Sequence, residues 1–157
     1  MTSTLPSPYN WSLQAIPAAF IFGIVPHGYY LTRLMVATRN QMSNAMPRTN
    51  LDTWKSKLPA ATWNQLTRAR GAHINSMEVF PLFAAAMVAG NVAKLPTEDL
   101  NKAALTFFGT RALYMALYIG VKSDTLAYAR TAAYAWSISV PITLLWKAGR
   151  HLSEVDV

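Results

Sequence analysis

Four stretches of roughly twenty mainly apolar residues, joined by short polar connections, constrain this chain more than any other feature. They cover about 13 to 37, 70 to 93, 99 to 121 and 125 to 148, and each matches the ~20 residues a helix needs to cross about 30 Å of hydrocarbon. Backbone groups have no water to bond to in hydrocarbon, so spans of this length must be helical. The expectation is an all-α integral membrane protein, an up-down four-helix bundle in one domain over 1–157. Composition agrees: 52% of residues are apolar and 13% charged, about half the charged share of a soluble globular protein. Residues 1 to 32 carry no Lys, Arg, Asp or Glu and lack a positive n-region, which reads as a retained first span rather than a cleaved signal. The net charge of +7 comes without any basic run. It therefore points to sorting of topology and not to nucleic acid. With no cysteine, disulfides, thiolate nucleophiles and cysteine metal sites are excluded.

The connection from 39 to 70 carries Arg39, Arg48, Lys55, Lys57, Arg68 and Arg70 against Asp52 alone. Positive charge places this 39–69 loop in the cytoplasm and both termini in a lumen. The Asn10-Trp11-Ser12 sequon would then face the lumen, too close to the membrane to favour glycosylation. In KLPTEDL, Thr97 can cap the third helix, with Glu98 and Asp99 suited to its first turn.

Ionisable groups at membrane depth cost about 2.5 to 3.5 kcal/mol each on insertion scales, so they face protein and mark function. Arg68, Gly71, Asn75 and Glu78 recur at three and four residues on the second helix, which puts them on one face. Arg111, Tyr114 and Tyr118 do the same on the third. Arg130 stands near the start of the fourth. Taken singly, Glu78 with Arg111 can be a structural ion pair, the tyrosines packing aromatics, and Arg68, Arg70 and Arg130 topology markers. His73 suits a helix surface, and His27 has no partner at metal-ligand spacing, so no metal site is expected. Together the set describes a polar pocket for a small zwitterionic or anionic ligand.

GAHINSMEVFPLFAAAMVAG resembles the second-helix signature of the membrane-associated proteins in eicosanoid and glutathione metabolism, the MAPEG family, which reads R-A-x-x-N-x-x-E-x-x-P. The matching residues are Ala72, Asn75, Glu78 and Pro81. RALYMALY at 111 to 118 resembles the family's R-x-x-Y-x-x-x-Y pattern, and YARTAAYAW followed by LLWKAGRHL its fourth-helix segment. The likeness runs over about 30 to 150.

The resemblance implies a homotrimer in endoplasmic-reticulum or related membranes, with glutathione held between subunits near the cytoplasmic face. It implies that Asn75 and Glu78 hold the amino and amide groups, and that Arg39 and Arg111 bind the carboxylates. Tyr114 and Tyr118 line the cleft, and Arg130 favours the thiolate. His73, inside the matched segment, and Arg68, close before it, are further candidate contacts. Catalysis would then rest on Arg130, Tyr118 and Tyr114, with the thiolate attacking a hydrophobic small molecule from the bilayer in a transferase, isomerase or peroxidase reaction. The chain departs from the pattern twice. Gly71 stands where many members carry arginine, and Arg130 follows Tyr118 by twelve positions, with Thr131 in place of serine and Asp124 nearer the shorter spacing. Two other readings follow from the same residues: a glutathione-independent isomerase or cyclase using Glu78, the tyrosines and Arg130 as acid and base groups, or a lipid-binding scaffold without catalysis.

Overall fold

The structure, a computed structural model, describes residues 8–155, excluding the side chains of Asp124, Leu126, Ala127 and Val155. The Asp124 side chain and the first seven residues of the uncharged N-terminal stretch therefore lie outside the described residues. Within them the chain is all-helical. There are four long helices, α1 (Ala15–Ala37), α3 (Ala60–Val92), α4 (Thr97–Gly120) and α5 (Asp124–Val155); short turns join the last three, and a longer segment holding the single-turn α2 (Asn50–Thr53) joins the first two. Two of them, α1 and α3, are apolar enough along a span-length window to cross a membrane. The other two are long enough, but charges break their apolar runs: Glu98, Asp99, Lys102 and Arg111 in α4, Arg130, Lys147 and Arg150 in α5.

Prolines set the entrances. Pro59 and Pro96 hold extended backbone immediately before α3 and α4, and the Pro96 carbonyl accepts from the Leu100 N–H at 3.2 Å. Pro96 thus takes the capping position expected of Thr97, which lies inside the first turn and makes no cap bond. Glu98 and Asp99 do occupy that turn, where the helix dipole favours them. The exits of α1 and α3 share one device. Arg39 and Lys94 adopt left-handed backbone, φ 51 and 53. The next N–H reaches back to Met35 O at 2.8 Å and to Gly90 O at 3.0 Å, closing a Schellman turn.

The segment expected as a polar loop to residue 69 becomes helical at Ala60. Leu66 and Ala69 are the reason: they recur on the buried face and join Leu51, Leu58, Tyr30 and Leu34 in a cluster. Trp63 Nε1 donates to Leu51 O at 3.1 Å, and the Asn50 side chain bonds Ser43 N and O at 2.8 Å each, so the 39–59 segment docks on the helices. At ~1.5 Å per residue the 33 residues of α3 reach about 50 Å, far beyond ~30 Å of hydrocarbon. α3 is thus longer than a single crossing requires.

Helix α3 packs against α1, α4 and α5. Its buried face is lined by Ala69, Ala72, Ser76, Ala86 and Gly90, small residues that let helices approach closely. The main core lies toward the far end, with Phe83 stacked on Phe107 at 4.0 Å between centroids. There the sequon is sequestered: Asn10 Nδ2 donates to Asn91 Oδ1 at 2.9 Å and Ser12 is fully buried.

Candidate functional site

Only three residues separate α4 from α5, so the two helices run back on each other and residues equidistant from Lys122 come level. Tyr114 and Arg130 are each eight positions from it. This brings Arg130 to the tyrosines despite the twelve-residue spacing: its Cζ lies 4.5 Å from the Tyr118 ring centroid. Asn75, Tyr114, Tyr118, Arg130, Thr131 and Tyr134 then line one cleft of about 260 Å³. A second depression of about 260 Å³, beside the Asp99–Lys147 pair, holds neither a phenol nor a guanidinium.

Within the cleft the phenols are ordered. Tyr114, 2% exposed, sits edge-on to Tyr118 at 5.4 Å and 5.5 Å from Tyr134. Asn75 Nδ2 donates to the Tyr114 hydroxyl oxygen. That bond uses the oxygen as acceptor, which leaves the Tyr114 O–H and the Asn75 Oδ1 available to a ligand. Thr131 was noted in sequence only as Arg130's neighbour in place of serine; Tyr134 was not singled out, although it falls at helical spacing from Arg130 and helix periodicity alone would find it.

Gly71 has a physical role here. A Cβ at that position would stand 2.7 Å from the Tyr118 hydroxyl and 3.1 Å from two ring carbons. The phenol thus occupies the space a side chain at 71 would need.

The remaining candidates are not in this cleft. Arg111 is 2% exposed and turned inward, donating to Ser76 Oγ at 2.9 Å and Ser137 Oγ at 3.3 Å, with its Cζ 4.4 Å from the Tyr114 ring centroid. It neither reaches the cleft nor pairs with Glu78. Among the described residues the ion pairs are Lys147–Asp99 and Arg150–Glu154. Neither serine was legible as a partner, because only packing of three helices brings them to one guanidinium. Arg68 Nε donates to Ile119 O at 3.1 Å, tying α3 to the end of α4. Arg39 is exposed at the α1 exit.

His73 lies on the other flank of α3, two residues or about 200° from Asn75. Its Nδ1 is 3.0 Å from the Gly23 carbonyl oxygen. A carbonyl only accepts, so that nitrogen carries the proton and Nε2 remains free. It shares a separate cavity of about 520 Å³ with His27, Tyr30, Arg48, Arg70 and neighbours; the imidazole centroids are 4.9 Å apart. Between the two flanks α3 leaves a stripe uncovered: Ile74, Glu78, Pro81, Ala85 and Val88 are all exposed, at spacings of three and four. Among the described residues no cluster of His, Asp or Glu is arranged to hold a metal.

No curated protein and no solved structure matches the chain. The MAPEG family model matches residues 15–150, a region that takes in all four long helices up to the last turn of α5 and every residue of the cleft. The chain belongs to the MAPEG family.

Proposed function

We propose that the chain is a membrane-embedded, glutathione-dependent transferase, isomerase or peroxidase acting on a hydrophobic electrophile. It works as a homotrimer of four-helix bundles in the endoplasmic reticulum or a related endomembrane, with both termini lumenal and the 39–69 segment cytoplasmic. The observation that carries the reading is Arg130 over the Tyr118 ring in a cleft shared with Asn75 and Tyr114. The donor set fits glutathione: one guanidinium, one amide and the phenols, with no acid in the lining. Glutathione, when bound, supplies the nucleophilic sulfur that a chain without cysteine lacks.

Arg130, Tyr118, Tyr114 and Asn75 each have a defined task. Arg130, restrained by its contact with the Tyr118 ring, places fixed positive charge beside the sulfur and favours thiolate over thiol. The Tyr114 hydroxyl keeps its proton available to donate, while Asn75 Oδ1 accepts from a peptide N–H or an ammonium. Glu78, one turn further and exposed, serves as the ammonium partner. Arg111 is assigned to packing and not to a ligand carboxylate, because it is buried, lies outside the cleft lining and donates to Ser76 and Ser137.

The test is titration of the purified protein with glutathione, followed by ultraviolet thiolate absorbance and thermal unfolding. Saturating glutathione raises the unfolding temperature, as any ligand of the native state must. Arg130→Ala lowers the thiolate signal about tenfold or more, the scale of a guanidinium's effect on a neighbouring acid. Arg150→Ala, exposed on α5, leaves it unchanged. Absence of both signals in the unaltered protein refutes the function.

A further inference from the structure

The groove between α4 and α5 lies at the end of these helices away from the cleft and shares no residue with it. Its volume is about 260 Å³, and it opens beside the Lys147–Asp99 pair, whose atoms are 3.3 Å apart. Two polar stripes form its walls. On α5, Ser139, Thr143 and Lys147 stand four residues apart, and on α4, Asp99, Lys102 and Thr106 stand three and four apart, so each set runs along one helix face. Large apolar side chains flank them: Leu105 on α4 and Ile142 on α5 are 67% and 52% exposed.

A row of hydroxyls at membrane depth calls for a polar neighbour, because hydrocarbon offers none. Two of them are satisfied within their own helices: Thr106 donates to Lys102 O and Ser139 to Trp136 O, each at 2.8 Å. The exposed Thr143 hydroxyl makes no such bond and has no partner among the described residues. It is therefore a free donor. One turn of about 5.4 Å nearer the surface stand the exposed Lys102 and Lys147. Lys147 pairs with Asp99, while Lys102 has no acid partner among the described residues, which leaves the mouth one cation in excess.

We propose that this groove is a glycerophospholipid site, in which Lys102 and Lys147 hold the phosphodiester and the Thr143 hydroxyl donates to an acyl ester carbonyl. Such a lipid carries its anion at the surface and its ester carbonyls one glycerol unit deeper, the step from Lys147 to Thr143, and a carbonyl only accepts. Its chains then run over Leu105 and Ile142. An apolar helix of a further chain fits the mouth less well, since it would desolvate Lys102 with no acid to pair it. The site is independent of glutathione and rests only on the membrane placement proposed with it.

Native mass spectrometry of the delipidated protein in mild detergent, titrated with dioleoyl phosphatidylglycerol, tests the site. The unaltered protein retains this lipid. Lys102→Gln with Lys147→Gln lowers the affinity about tenfold or more, the scale of two basic side chains acting on an anionic headgroup. Lys94→Gln, which removes an exposed cation at the same pole, changes nothing. Thr143→Val weakens binding about threefold or more, and leaves binding of a diether analogue, which has no ester carbonyl, unaltered. Failure of the unaltered protein to retain the lipid, an equal loss in Lys94→Gln, or an equal effect of Thr143→Val on diester and diether overturns the proposal. Displacement of the lipid by inorganic phosphate makes the groove a plain anion site, and cross-linking of Ser139→Cys chains on oxidation makes it a chain contact; either also overturns it. A protein that stays in solution without detergent defeats the membrane placement itself, whereas the glutathione thiolate signal stands or falls separately.

Discussion

A single hydroxyl links Gly71 to the cleft. The Tyr118 Oη stands where a Cβ at 71 would lie 2.7 Å away, and the same ring carries the Arg130 guanidinium on its face. Gly71→Ala therefore pushes on Tyr118 and, through it, on Arg130. Overpacking of this kind costs about 1 to 3 kcal/mol. Removing the hydroxyl takes away the closest atom while leaving ring carbons at 3.1 Å, which a small shift relieves. Gly71→Ala in a Tyr118→Phe background should then destabilise less than in the parent, with a coupling of about 0.5 kcal/mol or more between the two positions. Unfolding of the four proteins in mild detergent measures it, and strict additivity would falsify the contact. Gly71 was legible in sequence as a missing arginine. That the vacancy is filled by a phenol from α4 was not, because no spacing rule on α3 reports what a facing helix inserts.

At the scale of elements, Arg111 joins three helices. From α4 it bonds Ser76 of α3 and Ser137 of α5. Each serine also donates within its own helix, to Ala72 O at 2.7 Å and Tyr134 O at 2.7 Å, so neither is left unsatisfied when the guanidinium goes. Arg111→Met, close to the original in length, should keep the unfolding temperature unchanged or raise it, since a buried charge is replaced by apolar volume. Arg111→Ala should lower stability by about 2 to 5 kcal/mol, the cost of a cavity. Glutathione binding in the Met variant decides the role: retained binding assigns Arg111 to packing, and lost binding returns it to the ligand. The sequence placed Arg111, Tyr114 and Tyr118 at helical spacing on α4, and apolar run length located α1 and α3 as the two helices apolar enough to span. It put the start of α3 ten residues late, because 60 to 69 reads as polar while Leu66 and Ala69 carry its buried face. Composition averages over a helix and hides such a face.

At the scale of the whole molecule, two uncovered faces among the described residues differ in chemistry. On α1, Ile21, Val25 and Val36 are 66%, 56% and 70% exposed, large side chains suited to lipid tails. On α3 the stripe of Ile74, Glu78, Pro81, Ala85 and Val88 is mixed, with an acid and an alanine among apolar side chains, which suits it to another helix better than to lipid. If the first meets lipid and the second a further copy, a sulfur placed on each reports a different neighbour. The absence of cysteine makes the chain a clean background for this. In the proposed homotrimer, with this stripe turned to a neighbouring copy, Ala85→Cys oxidised in native membranes should give covalent dimers on a denaturing gel. Ile21→Cys, turned toward lipid, should remain monomeric under the same oxidant. A disulfide needs Cα atoms within about 7 Å, so random collision of packed chains contributes little at either position. Equal cross-linking at both sites, or cross-linking at Ile21 alone, would reverse the assignment of faces.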